Sequence, residues 1–122
     1  MPKNNSFIVR RLKSIVFAFK GAVYLLKNEA SIQVQFGVAL VVTVAGLFLK
    51  ISTTEWILQC FAIGLVMGIE GINSAIEALA DFVHPNQHKK IGLIKDIAAG
   101  AVFFAAVMAV IIGILIYFPK LF

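Results

Sequence analysis

The sequence predicts an all-α membrane protein: an N-terminal amphipathic interfacial helix followed by three transmembrane helices. Three observations lead there. Apolar residues make up 61% of the chain and charged residues 14%. Soluble domains hold roughly 45–50% and 25%, so too little polar surface exists here to cover a water-soluble globule. Stretches apolar and long enough to cross a bilayer recur at residues 32–49, 56–83 and 97–118. The cations gather before the first stretch and between the last two, the distribution expected of a multi-span protein.

Residues 6–27 come first. Ile8, Leu12, Ile15, Phe19, Val23 and Leu26 fall at helical spacing on one narrow face, with Arg10, Lys13, Lys20 and Lys27 roughly opposite. Such a helix rests in the interface, apolar side down, its cations toward lipid phosphates and water. A soluble-core helix would need a core that the chain lacks.

Residues 32–49 form the first span, with Gln33 and Gln35 at its start. At about 1.5 Å per residue it just crosses a hydrocarbon layer about 30 Å thick. Residues 50–54 read as a short polar turn. The second helix, 56–83, is longer than a span needs, so one end should project into water. Trp56 suits the first interface, and the membrane should end near Ile76 or Glu77. Residues 84–92 read as a polar loop in which Pro85 stops the helix. Residues 97–118 are the third span, with Tyr117 and Lys120 at its far edge.

Orientation follows from the cations. Lys3, Arg10, Arg11, Lys13, Lys20 and Lys27 precede the first span, and Lys89, Lys90 and Lys95 lie between the second and third. Only Lys50 and Lys120 of the 11 fall on the other side. The N-terminus is therefore expected in the cytoplasm and the C-terminus outside. The length is that of one domain, residues 1–122, with no cleavable signal peptide, internal repeat or low-complexity segment expected. Cys60 is the sole thiol, which allows neither an internal disulfide nor a zinc cluster; it reads as a small buried hydrophobe. The net charge of +5 points to anionic headgroups, and nucleic acid is excluded as a partner because no soluble basic domain exists to hold it.

The second helix carries the polar cluster of interest: Glu70, Asn73, Glu77 and Asp81, spaced three, four and four residues apart. At about 100° per residue they share one stripe. Carboxylates at such depth are costly and face a polar interior. An interhelical polar staple is the structural alternative, weakened by the scarcity of basic partners at that depth. Depth separates the roles. Glu77 should lie at the cytoplasmic edge and Asp81 just beyond it. Glu29, before the first span, shares that edge, so Glu29 and Glu77 are placed to share a hard cation such as Mg²⁺. Glu70, about two turns deeper, is placed to take a proton from a lipid hydroxyl. Lys95 and Asp96 are expected to open the third helix. There Lys95 either meets phosphate or serves as an ordinary cytoplasmic flank, and Asp96 could favour the positive end of the helix. His88 could touch a nucleotide or be a solvated loop histidine. Gly64 and Gly68 form a G-x-x-x-G pair that permits close helix contact. Neither a G-x-x-x-x-G-K-[ST] phosphate loop nor a G-x-G-x-x-G after a strand occurs, so any use of ATP must rest on another scaffold.

The run Glu70-Gly71-Ile72-Asn73-Ser74-Ala75-Ile76-Glu77, then Asp81, His88, Gly92 and Lys95-Asp96, resembles the prokaryotic diacylglycerol kinase family. The Asn28-Glu29-Ala30 step, the basic N-terminal helix and the overall length extend the resemblance over nearly the whole chain. It implies a multi-pass lipid kinase of the bacterial inner membrane, forming homotrimers with active sites shared between subunits and moving the γ-phosphate of ATP to a lipid hydroxyl with Mg²⁺. By position it implies Glu70 as catalytic base and Glu29 and Glu77 as metal-linked carboxylates. It places Arg10, Phe17, Asn73, Glu77, His88, Lys95 and Asp96 at the nucleotide, and Arg10 and Glu70 at the lipid. Phe17 stands where the proteobacterial branch has a Tyr, and Gln33 and Gln35 stand where it has charged residues. The acceptor expected is diacylglycerol, with undecaprenol, preferred by the Gram-positive branch, as the alternative. Outside the enzyme class, a channel or transporter subunit would also explain intramembrane acids, though not their clustering toward one end beside a Lys-Asp pair.

Overall fold

A computed structural model describes residues 6–86 and 88–122; Lys3, one of the cations counted above, lies outside them. Four α-helices follow in order: α1 (Phe7–Asn28), α2 (Ala30–Leu49), α3 (Thr53–Val83) and α4 (Lys89–Leu121). The last three are long and apolar enough to cross a membrane. The chain is thus an all-α membrane protein of the expected architecture.

α1 starts at Ser6, whose hydroxyl accepts from the Val9 N–H at 3.2 Å. It buries none of its residues. Ile8, Leu12, Ile15 and Phe19 stay exposed, as an apolar face meant for the bilayer interface requires. Only Glu29, in extended conformation (φ −107°, ψ 114°), separates α1 from α2, so the corner is tighter than the gap of residues 28–31 expected from hydropathy. Gln33 explains how so short a corner holds. Its amide nitrogen donates to the carbonyls of Leu26 at 3.0 Å and Lys27 at 3.2 Å, two acceptors that the end of α1 leaves without helical partners.

The α2–α3 turn places Lys50 in the left-handed region (φ 52°, ψ 55°). α3 then begins at Thr53, three residues before the expected Trp56. The cause is a capping box: the Ser52 hydroxyl accepts from the Glu55 N–H at 3.2 Å, and the Glu55 carboxylate accepts from the Ser52 N–H at 2.9 Å. Trp56 packs back across the turn onto α2, so closely that a Cβ on Gly46 would sit 2.8 Å from its ring.

α3 and α4 form the main packed pair. Small residues are buried on both helices, Ala62 and Ala80 on α3 and Ala98 and Ala105 on α4, which suits close backbone approach in a medium where apolar burial alone does not drive association. Large apolar side chains such as Phe61, Phe103 and Phe104 point outward. Cys60 is also exposed, contrary to the buried position expected; it lies beside Phe61, off the buried stripe of α3. Gly64 and Gly68 likewise meet no neighbour. The close approaches occur at Gly46 and at Gly71, where a Cβ would meet Leu25 of α1 at 3.0 Å.

The α3–α4 connection is shorter than the expected loop of 84–92. α3 ends at Val83, before His84 and Pro85, and α4 starts at Lys89. His88 caps it, its Nδ1 accepting from the Lys90 N–H at 3.0 Å. Hydropathy located the apolar part of α4 at 97, but the helix extends two polar turns further, because backbone hydrogen bonding continues past the hydrocarbon. Lys95 and Asp96 therefore lie inside the second turn and do not open the helix, and Asp96 is too far from its N-terminus for the dipole to account for it.

Candidate active site

α3 has 31 residues, about 46 Å of helix, against a hydrocarbon layer of about 30 Å; one end must project. Along the polar stripe exposure rises in the order that the depth argument requires. Glu70 is 8% exposed, Asn73 is half-buried, and Glu77 and Asp81 are exposed. Glu70 continues a buried face of α3 that runs Gln59, Ala62, Val66, Glu70, so packing, and no property of Glu70 alone, turns it inward.

Glu70 accepts one hydrogen bond, from the Asn73 amide nitrogen at 3.2 Å. The amide is thereby oriented, and its oxygen is left buried with no partner. A buried acceptor beside a buried carboxylate is an unfinished polar site that a donor, such as the hydroxyl of a bound molecule, would complete. No ion pair reaches Glu70 among the described residues.

At the projecting end, Lys95 of α4 meets Asp81 of α3 at 2.6 Å. Lys95 precedes the apolar part of its helix. The hydrogen bond to Asp81, reinforced by the charges of Asp81 and Glu77, holds its pKa above the ordinary lysine value against partial desolvation. This pair was not anticipated: Asp81 has the basic partner that the stripe seemed to lack. The fourteen-residue separation gives no sequence signal, because it depends on where α4 begins. Asp81, His84, Asn86, His88 and Lys95, together with Pro85 and Ile91, line a hollow of about 520 Å³, and the rings of His84 and His88 lie 5.3 Å apart. His88 is thus at the hollow while also capping α4.

Glu29 is half-buried at the α1–α2 corner and Glu77 is exposed; neither forms an ion pair among the described residues. Asp96 is exposed. Arg10 and Phe17 are exposed on α1, where the Lys20 ammonium lies 5.9 Å from the Phe17 ring centre. Arg10 is 19 residues before Glu29, about 28 Å along a helix, and α1 buries nothing. One chain by itself does not bring Arg10 and Phe17 onto the α3–α4 cluster. Carboxylate oxygens of the Glu29 and Glu77 kind suit Mg²⁺, which takes one or two carboxylates and completes its shell with substrate phosphates and water. Among the described residues no group of three His, Cys, Asp or Glu is close enough to hold a metal ion.

A second polar junction was missed altogether. At the opposite end, the Tyr117 hydroxyl shares its one proton between the Val42 carbonyl at 2.9 Å and the Gln59 side-chain oxygen, while the Gln59 amide donates to the same carbonyl at 3.2 Å. The available signal was Gln59, a polar residue falling eleven positions before Glu70 on the same helical face.

Comparison with known proteins places this geometry. The family described as prokaryotic diacylglycerol kinase matches residues 16–117. The chain belongs to the prokaryotic diacylglycerol kinase family. Among its relatives, the undecaprenol kinase of Bacillus subtilis is 36% identical over 112 residues, covering 92% of this chain and 91% of that one. The diacylglycerol kinase of Escherichia coli K12 is 31% identical over 111 residues, 91% of each. That of Haemophilus influenzae is 27% identical over 108 residues, 88% and 92%. As a member of this family the chain is a membrane-bound lipid kinase, and the buried carboxylate, the orphaned amide oxygen and the Lys95–Asp81 pair all fall within the matched segment.

Proposed function

We propose that this protein transfers the γ-phosphate of ATP, with Mg²⁺, to the hydroxyl of a membrane lipid. The observation that carries the reading is the polarity gradient on one face of α3, from buried Glu70 with its Asn73 partner to exposed Glu77 and Asp81 beside Lys95. Such a gradient lets a water-soluble phosphate donor and a lipid alcohol meet where aqueous and hydrocarbon phases join. Glu70 takes the proton of the lipid hydroxyl as the oxygen attacks the γ-phosphorus and the bond from that phosphorus to the β-phosphate oxygen breaks, releasing ADP. Asn73 orients Glu70 through the hydrogen bond that its amide nitrogen donates. Glu29 and Glu77 would hold the metal ion, which when bound would supply positive charge against the phosphates. Lys95 adds a cation to the phosphate chain, Asp96 and His88 complete the nucleotide side, and Arg10 and Phe17 close over it from α1. Arg10 and Phe17 are exposed on a helix that buries none of its residues, so a neighbouring copy would supply α1 to a site holding all of them; this supports active sites shared between subunits, for which the family resemblance implies a homotrimer.

The cation asymmetry supports insertion in the bacterial inner membrane with the N-terminus cytoplasmic and the C-terminus external. Diacylglycerol, yielding phosphatidic acid, is the acceptor proposed first. Undecaprenol, yielding undecaprenyl phosphate, is the second reading, supported by the 36% identity to the Bacillus subtilis undecaprenol kinase. Purified protein in mixed micelles with labelled ATP, Mg²⁺ and each lipid separates the two by product. Absence of product with every lipid alcohol, together with ion flux in reconstituted vesicles, would favour a channel subunit instead.

A further inference from the structure

Glu29 is the single residue between α1 and α2, so the peptide units on either side of it aim its carboxylate. Before it, Leu25 of α1 reaches α3 next to Glu70: a Cβ on Gly71 would meet the Leu25 side chain at 3.0 Å. After it, Ile32 is 2% exposed and anchors the first turn of α2. Gln33 spans the two sides. Its backbone N–H donates to the Glu29 carbonyl at 3.0 Å. Its side-chain amide reaches back over the corner to the Leu26 and Lys27 carbonyls at 3.0 and 3.2 Å. In an unbroken helix the N–H groups of residues 30 and 31 would occupy those two carbonyls. Here both residues belong to the next helix, and one side chain takes their place.

The Glu29 side chain takes no part in this bracing. Glu29 is the N-cap of α2, a position whose side-chain oxygen ordinarily accepts from the N–H groups of the first turn, yet its carboxylate makes no such bond. It also forms no ion pair among the described residues. Gln33 thus fixes the backbone at Glu29 while both carboxylate oxygens stay open to another partner. Gln33 itself is exposed, so water can take over the two carbonyls when its side chain is removed, and little stability rests on these bonds. Their consequence is directional. We propose that Gln33 is a positioning residue for the metal-bound phosphate donor: by bracing the corner, it holds the Glu29 carboxylate in the direction from which it would take Mg²⁺. This rests on the lipid-kinase reading above, in which Glu29 and Glu77 would hold the ion, and adds to it the group that aims one of them.

Gln33→Met tests this, since Met keeps the length of the side chain and removes the donor. The first readout needs no turnover: binding of Mn²⁺, standing in for Mg²⁺, to the purified protein with β,γ-methylene-ATP, followed by electron paramagnetic resonance. Gln33→Met is expected to weaken Mn²⁺ binding about tenfold, the scale on which residues that orient a metal ligand act. In lipid phosphorylation, the Mg²⁺ concentration for half-maximal turnover should rise by the same factor. Saturating Mg²⁺ should recover most of the turnover, and KM for the lipid should stay at the wild-type value. Because Gln33 acts through Glu29, its effect should vanish once that carboxylate is gone: Glu29→Gln with Gln33→Met should bind Mn²⁺ no more weakly than Glu29→Gln by itself. Additive losses in the pair, or a lowered unfolding midpoint with unchanged Mn²⁺ binding, would make Gln33 a helix cap only and overturn the proposal. Should Gln33→Met not fold, Gln33→Ala carries the same expectations. Glu29→Gln alone tells the two failures apart. Unchanged Mn²⁺ binding there removes Glu29 from the metal and overturns both readings, whereas weakened binding there beside wild-type binding in Gln33→Met overturns only the role of Gln33.

Discussion

Replacing Glu70 by Gln should lower activity without lowering stability. Glu70 is 8% exposed, and its one hydrogen bond among the described residues comes from Asn73 at 3.2 Å. Gln has the same shape and keeps a carbonyl oxygen for the Asn73 donor, so packing is preserved. A charged side chain within a spanning helix costs about 2.5–3.5 kcal/mol on insertion scales. Against this, a hydrogen bond to a charged group exceeds a neutral one by about 1–1.5 kcal/mol. Removing the charge is thus expected to leave the fold as stable as before, or more stable by about 1–2 kcal/mol. Turnover should fall by about 10²–10⁴, the contribution of a positioned general base, equivalent to about 3–5 kcal/mol of barrier. The assay is lipid phosphorylation beside thermal unfolding in the same detergent. Turnover near the wild-type value would remove Glu70 from the chemistry. Lost turnover accompanied by a marked drop in unfolding temperature would assign Glu70 a structural role.

Other outcomes follow from particular contacts. Gly46→Ala forces a Cβ to within 2.8 Å of the Trp56 ring and 3.0 Å of Ile51, and should cost about 1–3 kcal/mol by overpacking; Gly71→Ala meets only the mobile end of Leu25 and should stay within about 1 kcal/mol, because helix propensity favours Ala. Unfolding titrations on the two variants check the contrast. Lys95→Met is expected to raise KM for ATP by an order of magnitude or more, whereas Asp81→Asn should leave the unfolding temperature nearly unchanged because the pair is solvent-exposed; steady-state kinetics and melting curves test both. Ser52→Ala removes the cap of α3 and should cost about 1 kcal/mol, read from the unfolding midpoint. Chelation of divalent ions with EDTA should abolish turnover and added Mg²⁺ restore it, since Glu29 and Glu77 by themselves offer too few ligands to retain the ion against a chelator; unchanged activity in EDTA would refute metal dependence.

Composition and periodicity were enough for the four helices, because hydrocarbon imposes apolar length and internal backbone hydrogen bonding on any segment that crosses it. The stripe of Glu70, Asn73, Glu77 and Asp81 was legible for a similar reason: helical spacing alone decides which side chains share a face. Hydropathy misplaced the starts of α3 and α4, because it senses where hydrocarbon begins while Ser52 and His88, as caps, decide where helix begins. Cys60 was read as buried from its apolar surroundings, which say nothing of which side of α3 faces α4 and which faces lipid. The Asp81–Lys95 pair, the Gln33 brace on the corner and the Tyr117–Gln59–Val42 junction were decided only by the tertiary structure. Each joins residues whose meeting depends on how two helices are rotated and offset against each other, and a linear pattern fixes the faces of a helix but not the partner each face will meet.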